Sequence, residues 1–342
     1  MTTGLLYDEA FLLHRAPYEH PEHPGRLSAM WKRLTDDGLV ERCRRVPARE
    51  ATSDELLAIH TPAHVARVDS TASRAFAQLD ADTYTSRESA HVARLAAGGL
   101  IDLVDLVADG ELSNGFALLR PPGHHAEGDR AMGFCLFNNV AVATEVARRS
   151  RQSQVRRVAI VDWDLHHGNG TQHTFEEEPD VLYFSTHQYP FYPGTGAIRD
   201  VGRGAARGRT VNVAWPPGMG DAEYLAAFDR VLLPIARAFD PDLVLVSCGF
   251  DAADGDLLGG MKVSASGFGA MTDRVLSLAK GKVVLALEGG YNLDAIAAAA
   301  SACTRVLLGE AAPHPDTGPP SSVAENVIRE VLDTHRAFWA GL

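Results

Sequence analysis

The chain has 342 residues, 46% of them hydrophobic, and a formal net charge of −12. That much apolar material excludes a disordered chain and suffices for a substantial core. The acidic balance, with no local Lys/Arg cluster, excludes sequence-independent nucleic-acid binding, which needs a basic footprint, and would instead steer cationic substrates inward.

In chain order, the opening MTTGLLYDEAFLLHR lacks a basic segment followed by an apolar core and a small-residue cleavage site, and no run of about 18 apolar residues occurs. No membrane association and a cytoplasmic location are therefore expected. Thr52 and Glu55 in TSDELLAIH have capping-box spacing, which starts a helix. Residues 87–109 read as a further helix. Six short apolar runs then recur: FALLR (116–120), VAIVD (158–162), VLYFST (181–186), TVNVAW (210–215), LVLVSC (243–248) and VVLALE (283–288). They are continuous rather than alternating, which suits strands of a parallel sheet covered on both faces. Between them, Tyr224, Leu225, Phe228, Val231, Leu232 and Ile235 make one apolar helical face over 221–239, with Pro234 predicting a kink or break. Residues 292–308 read as another helix, and GEAAPHPDTGPPSS (309–322) as a loop leading to a last one. Length alone allows one large α/β domain or two smaller ones. Without a repeat or an earlier linker, a single domain over 1–342 fits best.

A doubly wound sheet places ligands at the carboxyl ends of its strands, and ionisable residues collect there. Past VAIVD, alternation of side chains lets Asp162, Asp164 and His166 share one side. Past FALLR come His124 and His125, past LVLVSC comes Asp251, and past VVLALE comes Tyr291. Stacking such groups is costly unless something binds or pairs them. Asp164, His166 and Asp251 would offer a divalent metal three ligands and leave an open position, as expected of catalytic zinc; with two oxygens and one imidazole, Fe(II) also fits. Cys43, Cys135, Cys248 and Cys303 are far apart with no CxxC pair, so neither a disulfide framework nor a thiolate metal site is indicated.

These residues, in this order, resemble the histone deacetylase and acetylpolyamine amidohydrolase family, close to its class II branch. The resemblance runs through HPEHPGRL (20–27), RPPGHHAEGDRAMGFCLFNNVAVA (120–143), DWDLHHGNGTQ (162–172), YPGTG (192–196), CGFDAADGDLLGGMKVS (248–264) and LEGGYN (287–292). It implies a single α/β domain of the arginase/deacetylase fold, with a mainly parallel sheet of the eight-stranded type flanked by helices. It also implies a zinc-dependent amidohydrolase that removes acetyl or other acyl groups from lysine ε-amines by metal-activated water. By position, Asp164, His166 and Asp251 would hold the metal. His125 would be the general base, with His124 as its electrostatic partner. Asp162 would support His124, and Asn169 stands facing His125 where many members have aspartate. Tyr291 would donate a hydrogen bond to the oxyanion. Phe134 and Tyr192, with Gly133, would wall the acyl channel, and Asp82 and Leu258 would lie at its rim. A structural potassium ion would use Asp162, Asp164, His166 and Ser185, partly through main-chain carbonyls. The expected partners are acylated lysine peptides or proteins or small acylated amines, with no nucleic acid and no membrane; a homo-oligomer is compatible.

Acetylpolyamines are the alternative substrate, but Leu258 stands where polyamine-selective relatives tend to carry an acidic residue. A two-manganese hydrolase needs bridging aspartates that DWDLHHGNG does not supply, and an inactive acyl-binding module would lack a ligand or Tyr291. His14, His60, His64, His91, His314 and His335 are expected to be structural, as are His167 and His173. Asp254 and Asp256 are expected in a solvated acidic loop. GRGAARG (202–208) lacks the spacing of a phosphate loop, and Cys135 opens an apolar segment rather than a nucleophile site.

Overall fold

The computed structural model describes residues 2–342. Ten strands form in chain order: β1 (Thr3–Leu6), β2 (Arg44–Val46), β3 (Phe76–Gln78), β4 (Tyr84–Ser86), β5 (Asn114–Ala117), β6 (Val158–Asp162), β7 (Val181–Gln188), β8 (Thr210–Trp215), β9 (Leu243–Cys248) and β10 (Val283–Leu287). β3 and β4 pair as a small antiparallel hairpin. The other eight make one sheet in the order β2-β1-β5-β10-β9-β6-β7-β8, parallel at every pairing. All the residues of β5 to β10 are buried, as continuous apolar runs require. A single register row crosses the sheet near its carboxyl edge through Leu6, Ala117, Ala286, Ser247, Asp162, Ser185 and Asn212. The loops that matter leave just beyond this row.

Helices cover both faces. The longest, α4 (Ser89–Ala108), packs on α5 (Asn139–Ser150), while α1 (Gly25–Asp36), α9 (Ala265–Leu276) and α10 (Leu293–Leu307) pack in a second layer. Paired Gly4 and Gly115 face Leu103 of α4, so that a side chain at either would strike it at 2.6 Å. The adjacent pair Thr3 and Asn114 reach the Leu307 carbonyl of α10 instead, each at 2.9 Å. Successive strand side chains alternate, so α4 and α10 lie on opposite faces.

Several expectations hold in detail. The Thr52–Glu55 capping box forms, though its helix is only Ser53–Leu56. The 221–239 segment stays helical but loses its α register ahead of Pro234: an α-helix over Asp221–Ala227 passes through a π turn, Phe228–Leu232, into a second α-helix, Leu233–Phe239, with Pro234 in its first turn. Proline has no N–H to continue the ladder, and the wider turn absorbs the gap. After the 309–322 loop a last helix follows, Ser322–His335. One run is displaced. The strand expected at 116–120 is β5, Asn114–Ala117, because Arg120 is drawn into a buried ion-pair network and Pro121 cannot donate to a ladder.

Candidate active site

β5, β10, β9 and β6 are neighbours at the middle of the sheet, and each delivers one part of the site from its carboxyl end. From β6, Asp164 and His166 project together, and Asp251 meets them from β9. His166 Nδ1 lies 3.2 Å from Asp164 Oδ1 and 3.0 Å from Asp251 Oδ2. The three donor atoms all lie within 4.8 Å of one another, the only such group among the described residues. Backbone N–H groups fix the carboxylates: Leu165 donates to Asp251 Oδ1 at 2.7 Å and Gly289 to Asp164 Oδ2 at 2.8 Å. A Cβ at 289 would fall 2.3 Å from Asp251 Oδ2, so only glycine permits this approach.

Two carboxylates and an imidazole nitrogen, all in the interior, form a donor set suited to a divalent cation. The electrostatics point the same way. Burial and the charge of Asp164 push the Asp251 carboxyl up to about 7. Against burial, His124 and His166 hold Asp164 well below the usual carboxylate range. Burial would lower His166 too, but hydrogen bonds to Asp164 and Asp251 lift it to about 10. The cluster calls for positive charge, which a divalent ion would supply in place of the imidazole proton.

From β5 come the paired histidines, their rings 4.0 Å apart. His124 Nδ1 is 3.1 Å from Asp162 Oδ2, and His125 Nδ1 is 2.8 Å from Asn169 Oδ1. Burial would depress His124, but the Asp164 and Asp162 carboxylates raise it to about 10. His125 is pushed well below the ordinary imidazole value by burial and by the charges of His124 and His166. Two adjacent imidazoles are thereby driven apart in basicity. Ser185 lies beside Asp162 in register on β7, buried, with its Oγ 2.9 Å from His187 Nδ1.

β10 delivers Tyr291. The guanidinium of Arg26 sits 5.0 Å from the centre of its ring and also holds the preceding carbonyls, Gly290 at 2.5 Å and Glu288 at 2.6 Å. Burial raises the Tyr291 phenol well above its ordinary value, keeping it a proton donor. Here one expectation is corrected. Asp254 is exposed as anticipated, but Asp256 is buried and accepts from the Tyr291, Asn292 and Leu258 N–H groups at 2.6, 3.2 and 2.9 Å. Three converging amides replace the water it would otherwise require.

Of these groups, Asp164, His166, His124, His125 and Tyr291 line a cavity of about 210 Å³ whose wall also includes Gly133, Phe134, Tyr192, Leu258 and Asp82. The Phe134 ring stands edge-on to Tyr291 at 6.1 Å, and Tyr192 stands edge-on to His125 at 5.1 Å. Gly133 (φ 56°) and Phe134 (φ 69°) are both left-handed, and a Cβ at 133 would meet the His125 ring at 2.4 Å. The turn costs Phe134 about 1 kcal/mol. Asp82 Oδ1 accepts from Gly133 N at 3.1 Å and Thr83 Oγ1 from Phe134 N at 3.0 Å, so Asp82 both lines the cavity and holds the Gly133–Phe134 turn.

Sequence reasoning missed five contributors. Phe191, adjacent to Tyr192, stacks on His166 at 5.5 Å. Glu288 accepts from Gly123 N at 2.6 Å and His124 N at 3.2 Å, anchoring the histidine pair, and burial pushes its carboxyl up to about 7. Arg26 and Arg120 both grip the buried Glu22, at 3.0 and 2.7 Å. An acidic residue closing an otherwise apolar strand run was the available signal for Glu288. Three of the histidines expected to be structural make buried hydrogen bonds: His60 and His64 bind main-chain carbonyls, and His167 binds Thr195 and Gln172. Cys135 donates to the Gly133 carbonyl, and burial raises its thiol well above the usual value, so it is no nucleophile.

A family model described as the histone deacetylase domain matches residues 20–307. Histone deacetylase 7 of Homo sapiens is 45% identical over 379 residues, covering 99% of this chain and 40% of that protein. Histone deacetylase 15 of Arabidopsis thaliana is 46% identical over 353 residues, covering 100% of this chain and 63% of that one. The chain thus spans less than two thirds of the length of these relatives. The crystal structure of the HDA15 HD domain superposes with a TM-score of 0.95 at 46% identity, covering 99% of this chain and 97% of that one.

Proposed function

Since this chain belongs to the histone deacetylase family, we propose that it hydrolyses the amide of acyl-lysine in peptides or proteins, releasing a carboxylate and the free ε-amine. The observation that carries this reading is one cavity lined together by Asp164 and His166 of the three-residue acidic and histidine cluster, by the histidine pair and by Tyr291, with Asp251 completing the cluster just behind the wall. Asp164, His166 and Asp251 would hold a zinc ion, which when bound lowers the pKa of water and polarises a carbonyl.

The chain's own residues do the rest. Phe134 and Tyr192, with Phe191 beside them, exclude water from the acyl-lysine stem and align it. His125 takes the proton of the attacking water at Nε2, since its Nδ1 is engaged by Asn169. His124, held by Asp162, carries positive charge beside the reacting carbonyl. Tyr291 donates its hydroxyl to the developing oxyanion, a contribution worth roughly 3 kcal/mol in comparable sites. His125 then returns its proton to the leaving amine. Leu258 offers no carboxylate to a second ammonium group, which favours lysine over polyamines.

The test is acetate release from an acetyl-lysine peptide by zinc-loaded protein. Wild-type turnover is expected, with His125→Ala and Tyr291→Phe each losing at least a hundredfold in kcat while keeping stoichiometric zinc. Near wild-type turnover in either variant contradicts these roles.

A further inference from the structure

Asn169 faces the general base where a carboxylate would supply charge, and an amide cannot. Its own surroundings make up the difference. The Asn169 Nδ2 group donates to Glu127 Oε1 at 2.6 Å and to the His125 main-chain oxygen at 3.2 Å. Both neighbours only accept, so the amide can sit one way round, with Oδ1 toward His125 Nδ1. That oxygen only accepts as well, so the imidazole proton sits on Nδ1 and the Nε2 lone pair faces the cavity. Glu127 is nearly buried, 7% exposed; its other hydrogen-bond partner is His173, whose Nδ1 lies 2.9 Å from Oε1 and 3.2 Å from Oε2, and the exposed Arg130 guanidinium stands 3.7 Å from Oε1. His173 is 40% exposed, so the chain of hydrogen bonds runs from the reacting base to solvent. Burial opposes charge on Glu127, but bonds from His173 and Asn169 overcome it and keep the carboxyl below its ordinary range. The hydrogen bond to Glu127 in turn raises His173.

We propose that Glu127 is a positioning residue for the reaction: through Asn169 it fixes the tautomer of His125, and it supplies, one hydrogen bond further out, the negative charge that Asn169 lacks. This rests on the reading of His125 as the base. An anion at the end of a hydrogen-bonded chain polarises each link toward it, so the Nδ1 proton is drawn outward and Nε2 becomes a better proton acceptor.

The test is a double-mutant cycle on zinc-loaded protein with an acetyl-lysine peptide. Glu127→Gln, nearly isosteric, is expected to lower kcat by about tenfold with KM little changed. Asn169→Asp places a carboxylate directly on His125, so adding it to Glu127→Gln is expected to restore kcat to within about threefold of wild type. A packing role for Glu127 would predict no such rescue. A second readout is independent of turnover: the histidine ¹⁵N and ¹H NMR spectrum of the full chain at neutral pH. His125 is expected as the Nδ1–H tautomer in wild type, its Nδ1 proton moving upfield in Glu127→Gln and back downfield in the double variant. Loss of less than twofold in Glu127→Gln, absence of rescue, or an Nε2–H tautomer in wild type would each overturn the proposal. If wild type released no acetate, the functional reading would fail, while the tautomer measurement would still decide the Glu127 assignment, even where a variant did not fold.

Discussion

At the scale of single residues, the most consequential unit outside the reacting groups is Glu22, fully buried between Arg26 and Arg120. Arg120 also donates to the carbonyls of Phe11 and His14, and Arg26 to those of Glu288 and Gly290, so one carboxylate ties the N-terminal segment to the loop that carries Tyr291. Removing one partner of a buried network leaves uncompensated charge, and Glu22→Gln is expected to lose about 3–5 kcal/mol. The pH dependence has a definite sign. Burial opposes the charge, but the two guanidinium groups hold the Glu22 carboxyl well below its ordinary value. Its contribution is therefore complete above the unfolded pKa of about 4.3 and is lost as pH falls below that. In urea denaturation from pH 7 to pH 3, the gap in stability between wild type and Glu22→Gln should narrow as the carboxyl protonates in the unfolded wild-type chain while it stays ionised in the folded one. A gap independent of pH would rule out this account.

Among the elements, α4 illustrates how tertiary contact reverses a local preference. Gly98 and Gly99 lie within this twenty-residue helix, where replacing glycine by alanine ordinarily stabilises by up to about 1 kcal/mol. At Gly98, however, a Cβ would lie 2.3 Å from the Arg49 carbonyl oxygen and 2.5 Å from the Ala51 nitrogen, both backbone atoms. Neither can swing aside, so Gly98→Ala is expected to destabilise by about 1–3 kcal/mol, read as a lower melting temperature. A rise would show that the segment at residues 49–51 yields. The disturbance ahead of Pro234 was readable from sequence because it follows from the missing N–H alone, though its form, a π turn over Phe228–Leu232, was not. Three helices of twelve residues, α1, α5 and α9, also went unread, but the strands that escaped, β1, β2 and the β3–β4 hairpin, are three or four residues long. Such short pieces have no period to detect, and neighbouring strands and helices hold them in place.

For the whole molecule, the cluster of Asp164, His166 and Asp251 joins loops from two strands, β6 and β9, and Gly289 brings in β10. A cation held there would stabilise the folded chain by mass action, by about 4 kcal/mol at a thousandfold excess over Kd. Dialysis against a chelator should lower the melting temperature by several degrees and zinc should restore it. Asp251→Asn should abolish most of that response; an unchanged response would place the cation elsewhere.

What the sequence determined by itself was the inventory: continuous apolar runs for a parallel sheet, and Asp162, Asp164, His166, Asp251, the histidine pair and Tyr291 just past their ends. Strand periodicity and the desolvation cost of clustered charges are local properties, so both can be seen along the chain. Tertiary structure decided the rest. The fifth, tenth, ninth and sixth strands became neighbours, which brought Glu288, Arg26 and Asp256 from separate segments against the reacting groups. Asp256 looked solvated because an acidic loop ordinarily is, and only the fold shows three amide groups converging on it. Burial, partner and charge state depend on which distant segments share a strand end, and that depends on the order of strands in the sheet.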